Sequence, residues 1–168
     1  MNTQTRYGSA VVTLPSENEI VITRQFDASA ARLFAAWTTP ALVRQWWGYP
    51  EDTWVVCEVD FRVGGMWRWV TVHHGDQGDI DVAFHGTYQQ IGAPSLLDYT
   101  EVFEGAPVPD PEAAGTHNTL TFDEADGVTT MTLRTVCPDA FTRDAILASG
   151  MEHGMQVSMD RVEDLVRA

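Results

Sequence analysis

The chain contains no lysine: all ten of its basic residues are arginines, against 24 aspartates and glutamates, and the net charge is −14. Without a lysine amine, no side chain can form a Schiff base, which excludes lysine-dependent aldolase and pyridoxal phosphate chemistry. So acidic a surface also repels phosphate groups. We therefore expect no binding to nucleic acid and no insertion into or docking on anionic membranes.

Cysteines and long apolar runs are also scarce. Cys57 and Cys137 are interpreted as two buried or half-buried thiols, because two cysteines imply no disulfide framework. No apolar run approaches the ~20 residues that a membrane-spanning helix needs. The first residues lack the basic start and apolar block of a secretory signal, so we expect a cytoplasmic protein.

Motifs for metal ions, nucleotides and nucleophilic catalysis are missing as well. The sequence has no HExxH, no paired CxxC, no EF-hand spacing, no G-x-S-x-G elbow, no Walker loop and no G-x-G-x-x-G. His73 and His74 are adjacent on a predicted strand and therefore point in opposite directions. We expect neither a metal ion nor a cofactor.

What is present is a series of predicted strands between two helical regions. Residues 1–18 have no periodic apolar pattern and are expected to form a flexible leader, so one domain spans residues 19–168. A first strand is predicted at residues 19–27, two short helices within 29–47, and six further strands between 54 and 136. Strands joined by hairpins form an antiparallel sheet.

The segment from Asp139 to Arg167 is predicted to form one long amphipathic helix, with Asp139 as its N-cap. A rod of about 40 Å needs a large apolar surface to cover its stripe. The concave face of a curved sheet is the simplest such surface. The apolar stripe comprises Leu147, Met151, Met155, Ser158, Met159, Val162, Leu165 and Val166.

Glu101 is the most suggestive polar residue, because strand alternation places it on one face with Leu97, Tyr99 and Phe103. A buried carboxylate must be paired, hydrogen-bonded or protonated. Glu101 is therefore a candidate acid or base, or a hydrogen-bond anchor for a ligand. A structural pair between Glu101 and an arginine or histidine is the alternative.

Large aromatic and methionine side chains are concentrated in two places. All six tryptophans fall between residues 37 and 69, and Met151, Met155 and Met159 form a seam on the predicted helix. Tryptophan clusters occur in cores and around apolar ligands. Methionine fills irregular core gaps and also adapts to ligands. The sequence leaves both interpretations open.

An ordered set of segments resembles the SRPBCC (START/Bet v 1-like) superfamily, in its branch of activator-of-Hsp90-ATPase-homologue-like proteins. The resemblance covers about residues 19–167. It implies a helix-grip fold of class α+β: a seven-stranded antiparallel sheet around a long C-terminal helix, with two short helices between strands one and two. It also implies a cavity between sheet and helix. The segments include ITRQFDASAARLFAAWTTPALVRQWWG (22–48), DFRVGGMWRW (60–69), YTEVF (99–103) and SGMEHGMQVSMDRVEDLV (149–166).

The leading functional prediction is a module that binds a small hydrophobic or amphipathic ligand in that cavity. One alternative is a cyclase- or hydrolase-like enzyme that uses Glu101 as acid or base. The predicted ligand-binding residues are Trp67, Trp69, Tyr99, Glu101, Met131, Leu133, Met151 and Met155.

A third alternative is a co-chaperone-like interaction module, with an exposed apolar patch on the convex sheet face or around Trp46 and Trp47. The eukaryotic co-chaperone carries a second, N-terminal domain, whereas only a short leader precedes the first strand here, so we do not expect an Hsp90-type partner. The resemblance is compatible with a monomer or a homodimer. The proline-rich loop at 104–116 departs from the family pattern and could alter the pocket mouth, but the sequence leaves its role open.

Overall fold

A computed structural model describes residues 6–167, which form one antiparallel sheet of eight strands, four α-helices and a short 3-10 turn at Pro111–Ala114. The helices are α1 (Ala30–Thr38), α2 (Pro40–Trp46), α3 (Ala140–Ala148) and α4 (Met151–Arg167). The strands are β1 (Val11–Thr13), β2 (Glu19–Phe26), β3 (Thr53–Val59), β4 (Met66–Gly75), β5 (Gly78–Gly92), β6 (Leu96–Phe103), β7 (Thr116–Ala125) and β8 (Val128–Val136).

The strand order is β1-β2-β8-β7-β6-β5-β4-β3, with every neighbouring pair antiparallel. The predicted α+β helix-grip class is confirmed, but the sheet has eight strands rather than seven. The extra strand is β1, which pairs with β2 in the segment expected to be a flexible leader. That prediction was wrong for residues 11–13, and residues 1–5 lie outside the described part of the chain.

The two short helices form where the sequence predicts them. The Ser29 hydroxyl caps α1 by accepting a hydrogen bond from the Arg32 backbone N–H, and Pro40 occupies the first turn of α2. The indole N–H of Trp46 donates to the Ala36 carbonyl oxygen at 2.8 Å, which ties α2 to α1. Both helices bury their apolar sides in the core.

The C-terminal segment is two helices rather than the single rod predicted. Asp139 caps α3 as expected, accepting a hydrogen bond from the Thr142 N–H at 2.7 Å. The chain then breaks at Gly150, whose φ of 82° lies in the left-handed region that favours glycine. None of the residues of α3 is buried, whereas α4 buries five side chains: Ser158, Met159, Val162, Glu163 and Val166.

A buried ion cluster fixes α4 to the sheet. Arg24 lies on the inner face of β2, in phase with the buried Ile20, Ile22 and Phe26. Its guanidinium donates to Asp160 at 2.6 Å and also to Glu163, both on α4. The polar residue that interrupts the apolar pattern of β2 is therefore a paired buried charge.

The loop between β6 and β7 packs on the convex side of the sheet. A side chain at Gly115 would meet Val102, which points away from the face that carries Glu101. The start of the loop borders the other face, because a Cβ at Gly105 would meet the ring of Phe103, which lies on the same face as Glu101. Cys57 and Cys137 are both free thiols. Within residues 6–167, the helices are all too short or too polar to cross a membrane.

Candidate functional site

The candidate site is the concave face of β4, β5 and β6. Trp67 and Trp69 come from β4, Tyr88 from β5 and Tyr99 from β6; we call these four residues the aromatic floor. Strand register brings them together, because Tyr88 lies directly opposite Tyr99 and Trp67 lies opposite Gly86. The rings of Trp67 and Tyr99 meet edge to face, with 5.9 Å between their centroids.

Gly86 is required for this close packing. A Cβ at this position would lie 1.7 Å from the Thr100 carbonyl oxygen and 2.8 Å from Nε1 of Trp67. Any side chain there would therefore strike the neighbouring strand and push the Trp67 indole away. The glycine lets the indole lie flat over β5.

Ring-to-ring contacts connect all six tryptophans into one network. The tightest contacts are Trp37 with Trp46, at a centroid distance of 4.6 Å, and Trp67 with Trp69, at 4.9 Å. Trp69 also contacts Trp46 and Trp47, and Trp47 contacts Trp54. The tryptophans therefore serve both as core and as the floor of the candidate site.

The aromatic floor encloses very little free space. A cavity of about 10 Å³ lies among the floor residues, Trp37 and Leu97. That volume holds about one water molecule, whereas small-molecule pockets measure roughly 300–1,000 Å³. The ligand-sized cavity that the resemblance implies is therefore not open at this point. Trp37 and Tyr88 contribute to filling it.

Several polar groups on this face lack protein partners. Nε1 of Trp67, Nε1 of Trp69 and Oγ1 of Thr71 are buried on one side of β4 with no hydrogen bond to any of residues 6–167. The hydroxyls of Tyr88 and Tyr99 also make no hydrogen bond within the described chain. Most buried polar groups in proteins are satisfied, so a concentration of unsatisfied groups on one face is unusual.

Glu101 lies next to Tyr99 on the same face of β6 and is half-buried. Burial raises the pKa of its carboxyl to about 7. No residue of the described chain donates a hydrogen bond to this carboxyl or forms an ion pair with it. At neutral pH the group therefore populates both protonation states and has free oxygens.

The two arginines that could have paired with Glu101 bind elsewhere. Arg68 forms a bidentate pair with Glu104 at 2.8 and 2.9 Å, and Arg134 binds Glu19 at 2.7 Å. A structural pair between Glu101 and an arginine or histidine is thus ruled out within residues 6–167. The tyrosines remain neutral donors, since burial raises the pKa of Tyr99 and of Tyr88 well above the ordinary value.

A satisfied polar row continues from Glu101 onto β7 and β8. Asn118 lies opposite Tyr99, and Thr116 opposite Glu101. The Thr135 hydroxyl donates to Oδ1 of Asn118 at 2.6 Å, and the Asn118 amide donates to the Thr116 hydroxyl at 3.4 Å. Sequence reasoning missed Thr71, Tyr88 and Asn118, although strand alternation with buried neighbours was a usable signal for each.

The other predicted ligand-binding residues lie in the core but do not line the small cavity. Met131 is fully buried. Leu133, Met151 and Met155 are half-buried and pack against the same core. The structure thus brings Trp67, Trp69, Tyr99 and Glu101 together. The other four predicted residues, Met131, Leu133, Met151 and Met155, belong to the surrounding apolar core.

A larger groove of about 330 Å³ lies on the convex side, and sequence reasoning did not find it. His85 bridges Glu104 at 2.9 Å and Glu112 of the 3-10 turn at 2.6 Å. Burial lowers the pKa of His85, but these two carboxylates outweigh it and raise the net value. The hydrogen bond from Arg68 holds the pKa of Glu104 at about 2. These charged groups satisfy one another, which indicates that they anchor the β6–β7 loop. The groove is lined by Glu58, Met66, Trp67, Arg68, His85 and Glu104.

Metal binding has little support in the described chain. Between residues 6 and 167, histidine, cysteine and acidic side chains form no group of three or more arranged to hold a metal ion. Nδ1 of His73 lies 2.7 Å from Oδ1 of Asp52. The Tyr49 ring contacts the rings of His73 and His153 at centroid distances of 5.3 and 6.2 Å.

The antiparallel sheet gripping α4, with α1 and α2 inserted between β2 and β3, defines a helix-grip protein of the SRPBCC class. The family model described as "Activator of Hsp90 ATPase homolog 1-like protein" matches residues 27–167, and the chain belongs to this family. The resemblance found in the sequence is confirmed. Membership supports a binding role in general terms. Comparison with the curated proteins finds no match.

Solved structures of bacterial proteins share the fold. A Rhodobacter sphaeroides protein is 23% identical with a TM-score of 0.79, and the match covers 94% of this chain and 97% of that one. An Arthrobacter aurescens protein is 24% identical with a TM-score of 0.77, over 94% and 91% of the two chains. A Staphylococcus epidermidis protein is 26% identical with a TM-score of 0.72, over 92% of each.

Proposed function

We propose that the protein binds a small ligand with an apolar body, seated on the concave face with a polar group at Glu101. The observation that carries this proposal is the half-buried Glu101 carboxyl, which has no hydrogen-bond or ion-pair partner among residues 6–167. Leaving a polar group unpaired in such surroundings costs stability. Groups of this kind are found preferentially at functional sites.

The unpartnered donors beside Glu101 support the same proposal. Trp67 and Trp69 are only 3% and 8% exposed, yet both indole N–H groups lack acceptors among residues 6–167. A ligand that rests on the aromatic floor would bury its rings or chains against apolar surface and supply the missing acceptors. This combination of apolar walls with a few polar anchors is typical of small-molecule sites.

Entry of a ligand requires the cover of the concave face to move, because the enclosed space is only about 10 Å³. The least buried part of this cover is α3 with the start of α4. Ile146, Leu147, Met151 and Met155 pack against the core there but remain half-exposed. Methionine side chains repack readily around irregular shapes. Gly150 provides a flexible joint between the two helices.

The test is a screen of neutral apolar and aromatic compounds by thermal shift, followed by amide chemical-shift mapping. Ligands should perturb β4–β6 and the start of α4, and Trp69→Ala should weaken binding at least about tenfold, since it removes a large contact surface. Glu152→Gln, an exposed carboxylate on α4, is the matched control for effects of charge. Hits that map only to the convex groove would contradict the proposal.

An acid–base enzyme is the second candidate, favoured by the pKa of about 7 at Glu101. A general acid or base works best when its pKa lies near the operating pH. Compounds that bind should then be followed by mass spectrometry for conversion. Catalysis predicts that Glu101→Gln abolishes turnover while binding persists. If the compounds are unchanged after prolonged incubation, the enzyme hypothesis fails and only the binding function stands.

The co-chaperone alternative has less support. It called for an exposed apolar patch on the convex sheet face or around Trp46 and Trp47; of these two, Trp46 is buried and Trp47 is half-buried. The exposed large apolar side chains are spread along the chain from the N-terminal segment to α3: Tyr7, Val11, Leu14, Val55, Phe61, Val63, Met66, Ile80, Phe103 and Phe141. We therefore do not propose an Hsp90-type partner.

A further inference from the structure

We propose that the ligand carries a protonated amine, which pairs with the Glu101 carboxylate while the aromatic floor packs against its carbon framework. This inference rests on the proposed function and names the class of ligand. It follows from three observations: the Glu101 carboxyl is unpaired, aromatic rings lie beside it, and no cation among residues 6–167 pairs with it.

The charged and titratable groups near Glu101 supply no counter-ion. On the same strand and on β5, the titratable neighbours are the hydroxyls of Tyr99 and Tyr88, which are neutral. From β7, Thr116 and Asn118 lie beside it, and both are uncharged. Burial is the only cause of the Glu101 pKa shift, so no charge of the described chain acts on the group appreciably.

The arginines are engaged elsewhere, and the chain has no lysine. Four of them bind acidic side chains or backbone as follows: Arg24 binds Asp160 and Glu163, Arg68 binds Glu104, Arg134 binds Glu19, and Arg161 donates to the Gly48 carbonyl. Within residues 6–167, therefore, no cation neutralises Glu101, and the carboxylate is left for a cation that a ligand brings. Small cations are also drawn to the protein as a whole by its charge of −14.

The aromatic floor suits an organic amine better than a bare metal ion. Electron-rich faces of tryptophan and tyrosine attract ammonium groups, most strongly where water is excluded. A metal ion would need several oxygen or nitrogen ligands, and within residues 6–167 Glu101 is the only carboxylate on the concave face of β4, β5 and β6. An amine attached to an apolar body satisfies the carboxylate and covers the rings together.

Binding should depend on pH in a direction that the site itself sets. Burial raises the pKa of Glu101 to about 7, so the carboxyl is mostly protonated at about pH 6 and mostly ionised at about pH 8. An alkyl amine remains protonated over this range. Affinity for the amine should rise between these two values, and affinity for a neutral analogue should not.

The experiment compares three probes with one carbon framework: naphthylmethylamine, naphthylmethanol and naphthoate. Each is titrated calorimetrically into the wild-type protein, Glu101→Gln and the control Glu152→Gln at about pH 6 and about pH 8. We expect the amine to bind at least about tenfold more tightly than the alcohol at the higher pH, because a charge-assisted hydrogen bond is stronger than a neutral one. Glu101→Gln should remove this preference and keep binding of the alcohol.

The outcomes separate this inference from the function on which it rests. If the alcohol binds on the concave face and the amine binds no more tightly, the amine inference fails and the proposed function stands. If the preference for the amine survives in Glu101→Gln, Glu101 is not its partner and the inference fails. If none of the probes binds, the proposed function itself loses its support.

Discussion

At the residue scale, Glu101 makes the stability of the fold depend on pH. Its pKa is raised from 4.5 to about 7 by burial, so the folded state holds the proton more tightly than the unfolded chain does. The stabilisation from this proton is fully present at acid pH and is lost as pH rises from about 4.5 to about 7. Above that range, ionised Glu101 is a net cost to folding.

Replacing Glu101 with glutamine should therefore stabilise the protein at about pH 8 by up to about 3 kcal/mol, since each pKa unit corresponds to about 1.4 kcal/mol. The gain should shrink toward pH 4, where the wild-type carboxyl is protonated. Urea unfolding of both proteins across this range measures the difference, with Glu152→Gln as the exposed control. A difference that is constant with pH would mean that Glu101 titrates normally.

The buried pair of Arg24 and Glu163 leads to a second prediction at this scale. Arg24→Met would leave the Glu163 carboxylate, only 2% exposed, without its main partner. Breaking a buried pair in this way costs about 3–5 kcal/mol. Adding Glu163→Leu should recover a large part of the loss, because the unpaired charge is then gone.

The matched control is Arg134→Met, which removes the exposed pair with Glu19 on the neighbouring strand. Exposed pairs contribute little because water screens them. Urea unfolding should therefore rank the Arg24 variant far below the Arg134 variant. Equal losses for the two would show that burial does not strengthen the Arg24 pair.

At the element scale, the joint between α3 and α4 depends on Gly150. Gly150→Ala should destabilise the protein by about 1 kcal/mol, because its φ of 82° is strained for any residue with a Cβ. The added methyl meets no atom within 4 Å, so the cost is one of backbone conformation alone. Thermal and urea unfolding measure it.

Gly154 is the matched glycine for this test, because it lies inside α4 with ordinary helical geometry. A methyl at this position would approach the Tyr49 hydroxyl at 3.4 Å, which is a tolerable contact. Alanine is favoured over glycine in a helix by about 1 kcal/mol, so Gly154→Ala should be neutral or stabilising. If Gly154→Ala destabilises the protein and Gly150→Ala does not, the assignment of the joint to Gly150 is wrong.

The same joint shows where prediction from sequence stops. The apolar stripe passes from Leu147 to Met151 at a spacing that fits an unbroken helix, so periodicity cannot detect the break at Gly150. The strand β1 was not predictable for a related reason: its three residues carry no periodic pattern of their own and form a strand only by pairing with β2. The short helices and the other strands were predictable, because each carries its own periodicity and its own turns.

For the site, strand alternation was enough to bring Trp67, Trp69, Tyr99 and Glu101 to one face. The volume above that face was not predictable, because it depends on how Trp37 and Tyr88 pack. The lack of a partner for Glu101 was equally hidden. It follows from Arg68 and Arg134 binding Glu104 and Glu19, and such choices between several acids depend on strand register.

At the scale of the whole molecule, the charge of −14 should make folding sensitive to salt. Like charges repel more strongly in the compact state, and dissolved ions screen that repulsion over distances of about 10 Å at 0.1 M. The thermal midpoint should therefore rise between about 20 mM and about 500 mM sodium chloride. A falling midpoint would mean that attractive surface ion pairs outweigh the net repulsion.

The connected tryptophan rings also give the molecule a built-in optical reporter. Indoles at such short centroid separations exchange excitation energy, so light absorbed by one ring can be emitted or quenched at another. A molecule that binds beside Trp67 and alters its emission would thus change the fluorescence of the connected set, including Trp54 at the far end. Intrinsic fluorescence therefore offers a label-free view of events on the concave face.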